Sequence, residues 1–238
     1  MHPVICRIGP VNIYSWGFMV AMAFLVGLPI VLRYGEKEKI KPENILDMFM
    51  YSVVASIAGA RIFYVIGFPG EYIRNPLSIL YINQGGMVFL GGIFGGALAV
   101  LAYTNRHKID LWKVLDATSP SVAIGYAIGR VGCLLNGCCY GMTEFGMQQP
   151  TQVYSSIAGV IIFLLITSLY KKKKYDGQIF LTGLVYYSIY RFFLEFLRAN
   201  PVHILIFTPN QLLVVFVFMI SIYTLWKKNR HNHRKRDA

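Results

Sequence analysis

Two arginines set in apolar surroundings are the residues of this 238-residue chain best suited to chemistry: Arg130 in GYAIGRVGCLLNGCCYG and Arg191 in LVYYSIYRFFLEFLR. A charge at bilayer depth costs about 2.5–3.5 kcal/mol on insertion scales, so such a residue either snorkels to the interface or serves a site. Guanidinium groups stay protonated and form planar, bidentate hydrogen bonds, so a pair of them suits a phosphate. Tyr187 stands one turn before Arg191 on the same side. The competing view of Arg191 is a salt-bridge ladder, with Glu195 four residues on and Arg198 three beyond that. Arg61, in SIAGARIFYVIGF, falls toward the outer end of its apolar run, and snorkelling, holding a phosphate and capping a helix end all stand open for it.

Three of the four cysteines, Cys133, Cys138 and Cys139, follow Arg130 closely around the turn dipeptide Asn136-Gly137. Several readings coexist. Cysteine is a small apolar filler in a Gly-rich helix; Cys133 would reach Cys138 or Cys139 as a disulfide if the chain turns at Asn136; and a thiol beside Arg130 would be drawn toward the thiolate, to act as a base or a covalent way-station. Their spacing does not match the paired Cys and Cys/His patterns of zinc sites, so neither a metal nor a cofactor is expected. Gly125, Gly129, Gly132, Gly137 and Gly141 leave a nearly bald face that a backbone or a lipid headgroup can approach. Gln149, Thr151 and Gln152 open the next apolar run, where they would cap free amides or face a polar ligand. Tyr14 and Trp16, near the start, would sit at headgroup level as an aromatic belt or line the path of a lipid.

The elements that must position these residues are membrane helices. The chain is 55% hydrophobic and 14% charged with a mean hydropathy of +0.50, a composition of polytopic membrane proteins. Apolar runs near the length needed to span hydrocarbon predict an all-α fold of seven transmembrane helices at about 13–32, 45–66, 87–103, 114–135, 152–170, 178–197 and 210–226. Most of the 23 lysines and arginines fall in alternate connections, 33–41, 106–113 and 171–174, and in the tail 227–236, which puts the N-terminus outside and the C-terminus in the cytoplasm. The net charge of +12 is therefore a topology signal, and nucleic-acid binding is not expected. The first run is too long for a cleaved signal and is expected to remain as a span. With no repeat and no long linker, residues 1–238 read as one domain. The glycine pairs of GGMVFLGGIFGG imply either a broken span, as in ion-binding transporters, or very close helix contact. Residues 1–12 read as an irregular outer segment.

GRVGCLLNGCCYG resembles the signature of bacterial prolipoprotein diacylglyceryl transferases, a GR(x)GN...NGE...G string on a glycine-rich helix. IGPVNIYSWG, GARIFYV, GGMVFLGG, QPTQVY, YYSIYRFFLEFLR and PNQLL agree with that family in order across the chain. The resemblance implies transfer of diacylglyceryl from phosphatidylglycerol, an anionic phospholipid, to a lipoprotein cysteine or a different acceptor, with release of glycerol phosphate, at the bacterial cytoplasmic membrane. It implies that Arg130 and Arg191 are the essential arginines, that Tyr187 is the accompanying tyrosine, and that Asn136, Gly137 and Gly141 are the shared part of the signature. The departures are specific. The family histidine is Leu90 here, the signature asparagine is Cys133, the signature glutamate is Cys138, the early tyrosine is Trp16, and the head domain shrinks to Met142–Gln149. The donor half of the site is retained and the acceptor half rebuilt, which leaves a non-catalytic phospholipid binder or transporter as the alternative.

Overall fold

The computed structural model describes residues 3–8, 11–73, 76–80, 86–144, 147–198 and 207–236. Its seven long helices are α1 (Ser15–Lys37), α2 (Pro42–Gly67), α4 (Phe89–His107), α5 (Leu111–Asn136), α6 (Thr151–Tyr170), α7 (Gln178–Glu195) and α8 (Pro209–Arg236), with a short α3 (Pro69–Ile73) and a 3-10 turn (Pro76–Leu80) between α2 and α4. Each of the seven expected spans falls on one long helix. Four of them, α1, α2, α6 and Pro209–Asn232 of α8, are long and apolar enough to cross a membrane by length and composition. Large apolar side chains lie exposed along α8, among them Leu213, Phe216 and Met219, as they must where the surrounding solvent is hydrocarbon. The protein is a multi-pass membrane protein.

Two compact units are formed, one by Gly35–Val114 and one by Met1–Tyr34 with Leu115–Ala238. In the first, α2 and α4 pack along a seam of small residues. A Cβ added to Gly59 would meet the Gly91 carbonyl, one added to Gly95 would meet the Ala55 carbonyl, and one added to Gly96 would meet the Ser56 hydroxyl. The pairs Gly91-Gly92 and Gly95-Gly96 thus serve close contact, and α4 runs unbroken from Phe89. At the other end of the seam the Tyr103 hydroxyl bonds Asp47 at 2.9 Å and Asn44 at 3.1 Å. Lys108, at φ 55°, closes α4 as a left-handed cap after Arg106 and His107 in its last turn. Pro42 starts α2, where its missing N–H costs nothing.

In the second unit, a core of Ile162, Ile166, Tyr170 and Ile179 ties α6 to the start of α7, with Tyr34, Ala123 and Tyr187 packed against it. Gly159 of α6 lies against Ala127 and the Ala123 carbonyl of α5. Asp116 of α5 is wholly buried and accepts hydrogen bonds from the Gly177 and Phe180 amides at 2.7 and 2.8 Å, with Lys173 paired to it at 2.9 Å. A carboxylate on the first amides of α7 satisfies donors that the helix cannot satisfy itself and complements its dipole. Where an irregular N-terminal segment was expected, β1 (Val4–Ile8) and β2 (Val11–Tyr14) form an antiparallel hairpin. A two-residue hairpin, β3 (Thr143–Glu144) with β4 (Met147–Gln148), occupies the short connection before α6.

Candidate active site

The second unit gathers most of the sequence-predicted residues at the ends of α5, α6 and α7. Arg130 sits in the penultimate turn of α5 with its guanidinium 4.9 Å from the ring centre of Tyr126, one turn earlier. Tyr126 meets Tyr187 of α7 edge to face at 5.7 Å, and its hydroxyl is 3.4 Å from that of Tyr190. Tyr190 in turn donates to the Ser155 hydroxyl of α6. Tyr187 is the hub, within Coulombic range of Arg130, Arg191 and Arg198. Two helices therefore present the same pair, a tyrosine four residues before an arginine, toward one aromatic cluster.

Arg191 is buried, and its Nη2 pairs with Glu195 at 3.1 Å, one turn on. Glu195 also accepts from Asn210 Nδ2 at 3.0 Å and Thr208 Oγ1 at 3.3 Å, so the same carboxylate anchors the start of α8. The first rung of the expected ladder is formed. Even so, Arg191 Nη1 is buried with no hydrogen-bond partner among the described residues, as are Ser188 Oγ and Gln152 Oε1. A buried polar atom left unpaired costs about 1–3 kcal/mol, and more for a charged group, so these atoms are candidates for contact with a polar ligand.

The loop after α5 is fastened to both neighbouring helices. Thr151 Oγ1 donates to the Cys139 carbonyl at 2.7 Å, Gln152 Nε2 donates to the Cys138 carbonyl, and the Met142 amide donates to the Leu197 carbonyl at 2.9 Å. Gly141 packs against the Leu197 carbonyl and Thr151 so closely that a Cβ has no room. Gly137 at φ 75° and Cys139 at φ 68° fold the chain back, and the sulfurs of Cys133, Cys138 and Cys139 come within 4.8 Å of one another. All three are free thiols, with Cys133 and Cys138 half-buried and Cys139 exposed. Desolvation and the neighbouring Cys138 push the Cys139 thiol above its usual range, and the opposing pull of Arg130 is smaller. The expectation that Arg130 lowers a nearby thiol is thus reversed at Cys139: loss of hydration outweighs the cation.

Asn136 ends α5 exposed. Trp16 is half-exposed in the first turn of α1, where its backbone and Met19 lie against Gly132, and Tyr14 is exposed at the end of β2. Arg61 belongs to the other unit and is buried there. Its guanidinium donates to the carbonyls of Ser78, Ile79 and Gly86 at 2.7, 2.9 and 3.0 Å and faces the Tyr72 ring at 5.3 Å, so it fastens the connection that leads into α4. Sequence reasoning missed Tyr126, Ser155, Ser188 and Tyr190. Tyr126 had a usable signal, since it precedes Arg130 by the interval that separates Tyr187 from Arg191.

Between α6 and α7 an apolar groove of about 380 Å³ is lined by Tyr154, Ile157, Ile161, Tyr190, Phe193 and Leu197, among others. It abuts the aromatic cluster through Tyr190.

The sequence model of the family described as prolipoprotein diacylglyceryl transferase matches residues 3–227. Among curated relatives, the phosphatidylglycerol–prolipoprotein diacylglyceryl transferase of Clostridium tetani is 29% identical over 240 residues, covering 94% of this chain and 96% of that protein. Proteins of the same name from Bacillus cereus (strain 03BB102) and Lactiplantibacillus plantarum are 30% and 27% identical, covering 92% and 99% of this chain and 89% and 92% of theirs.

Proposed function

Because the chain belongs to the prolipoprotein diacylglyceryl transferase family, we propose that this transferase moves the diacylglyceryl group of phosphatidylglycerol to the thiol of a lipoprotein cysteine and releases glycerol phosphate. The observation that carries the reading is the buried, unpartnered Nη1 of Arg191, on a guanidinium whose other edge is held by Glu195. A phosphate oxygen satisfies that atom. Arg130, stacked on Tyr126, supplies the second cation, and Tyr187 lies within range of both arginines. Charge grows on the phosphate as the ester bond breaks, and fixed guanidiniums stabilise that growth without reorganising. The apolar groove between α6 and α7 suits an acyl chain of the donor, and Gln152 with the loop of Asn136, Gly137 and Gly141 borders the polar end. Arg61 contributes by fastening its connection, Arg198 adds to the positive field at Tyr187, and Tyr14 and Trp16 sit at headgroup level. Cys133 and Cys138 belong to the acceptor side.

The surrounding topology is seven spans with the N-terminus outside, in the cytoplasmic membrane of a bacterium, and it rests on the alternation of basic connections. In mixed micelles with phosphatidylglycerol and a lipobox peptide, glycerol phosphate release and a diacylglyceryl gain in peptide mass are expected together. Arg130→Ala is expected to lower both by about 100-fold or more. An intact donor in the presence of the peptide would instead leave a lipid binder, and near-normal turnover in the variant would remove Arg130 from the site.

A further inference from the structure

We propose that Cys133, Cys138 and Cys139 form a three-thiolate site for zinc whose open fourth position takes the thiol of the acceptor; this rests on the transferase reading above. Residue spacing alone argued against a metal. The fold overturns that argument because the left-handed Gly137 and Cys139 turn the loop back on the end of α5 and bring the three sulfurs within 4.8 Å of one another, with Cys138 and Cys139 at 3.5 Å. Zinc binds thiolate at about 2.3 Å in a tetrahedron, which asks for sulfurs about 3.8 Å apart. Side-chain rotation closes the difference.

Three further observations fit a metal centre with one position open. The Cys138 and Cys139 carbonyls are fixed by Gln152 and Thr151 of α6, the kind of outer support that holds ligands in place. Cys139 is exposed while Cys133 and Cys138 are half-buried, so the cluster is reachable from one side. Arg130 is within Coulombic range of Cys133 and Cys139, and it balances the single net negative charge of zinc with three thiolates. Zinc sites that carry out chemistry have three protein ligands and a vacant fourth position.

The step it supports is balanced without a redox partner. On binding zinc, the acceptor thiol gives its proton to water and stays a thiolate. That sulfur attacks the glyceryl methylene that carries the phosphate ester. The carbon–sulfur bond forms as the carbon–oxygen bond breaks, and the electron pair leaves on the oxygen of glycerol phosphate. The thioether product is neutral, binds zinc more weakly and departs. No separate general base is required, which suits a chain with Leu90 where the family resemblance expects a histidine.

The test uses the full chain in detergent, depleted of metal and titrated with cobalt as an optical stand-in. One cobalt per chain with intense sulfur-to-metal charge-transfer absorption is expected. It should be lost in Cys138→Ser and in Cys139→Ala and kept in Cys6→Ser, whose thiol lies on the N-terminal hairpin. A lipobox peptide with a free thiol should raise that absorption by about a third, as a fourth thiolate joins three, and its serine counterpart should not. Transfer is expected to fall at least tenfold on chelation and to return with zinc. Absent charge-transfer bands, or transfer undiminished in metal-free protein, would overturn the metal site while leaving the transferase reading in place. Bands that respond to the peptide with no transfer under any metal would support the site and overturn the reaction.

Discussion

Glu195 holds Nη2 of Arg191 and leaves Nη1 buried and, among the described residues, unsatisfied. A cation anchored on one side keeps its direction, and direction is what a transition state needs from it. Glu195→Gln retains acceptors for Thr208 and Asn210 but removes the charge that orients the guanidinium. Turnover is expected to drop about tenfold with the KM for phosphatidylglycerol unchanged or lower, since the field on the donor becomes more positive; a raised KM with normal kcat would mean that the pair serves binding alone. Part of the candidate site could be read from the sequence: Arg130, Arg191 and Tyr187 stand out, and so does Glu195 as the salt-bridge partner of Arg191, because charge and spacing on a helix are explicit in the order of residues. The turn at Asn136-Gly137 that brings Cys133 toward Cys138 or Cys139 was legible, but the meeting of all three sulfurs was not, since it also depends on a positive φ at Cys139 that no residue type announces.

Among the elements, α2 and α4 show how small residues act at a distance from chemistry. Their glycines bring two backbones so close that a side chain must part the helices. Gly95→Leu is expected to destabilise the protein by about 1–3 kcal/mol, by the usual cost of overpacking, seen as a fall of several degrees in Tm in detergent. Gly67→Ala, where no atom lies within 4 Å of the added carbon, should leave Tm unchanged. Equal effects would dismiss the seam as the cause. The long helices were legible in their apolar runs, with ends displaced by up to ten residues because a helix continues past its apolar run into polar sequence, as α8 does through Lys227 and Lys228 to Arg236. The N-terminal hairpin was not legible. Gly9-Pro10 reads as a break, and VICRI is too short to show which period it follows.

For the molecule as a whole, the alternation of basic connections predicts two faces. With Cys6, Cys133, Cys138 and Cys139 replaced by serine, cysteines introduced at Lys172 and at Gln148 should behave oppositely toward a membrane-impermeant maleimide: the second labelled in intact cells, the first only after lysis. The reverse pattern would invert the orientation, and labelling of both would dismiss the span count. In the proposed orientation the candidate site lies at the outer ends of α5 and α7, and Asp116 with its partners Gly177, Phe180 and Lys173 lies at the inner end. From Phe180 to Arg191 the helix rises about 17 Å.

That buried carboxylate fixes where α7 begins, and so fixes how high and at what rotation every later residue of the helix stands. The consequence is genetic. Single base changes that silence the enzyme are therefore expected not only in the codons of the candidate site but also in the one for Asp116, near the opposite end of α7 from Arg191, and an allele lost there would pass for a lesion in the arginines themselves.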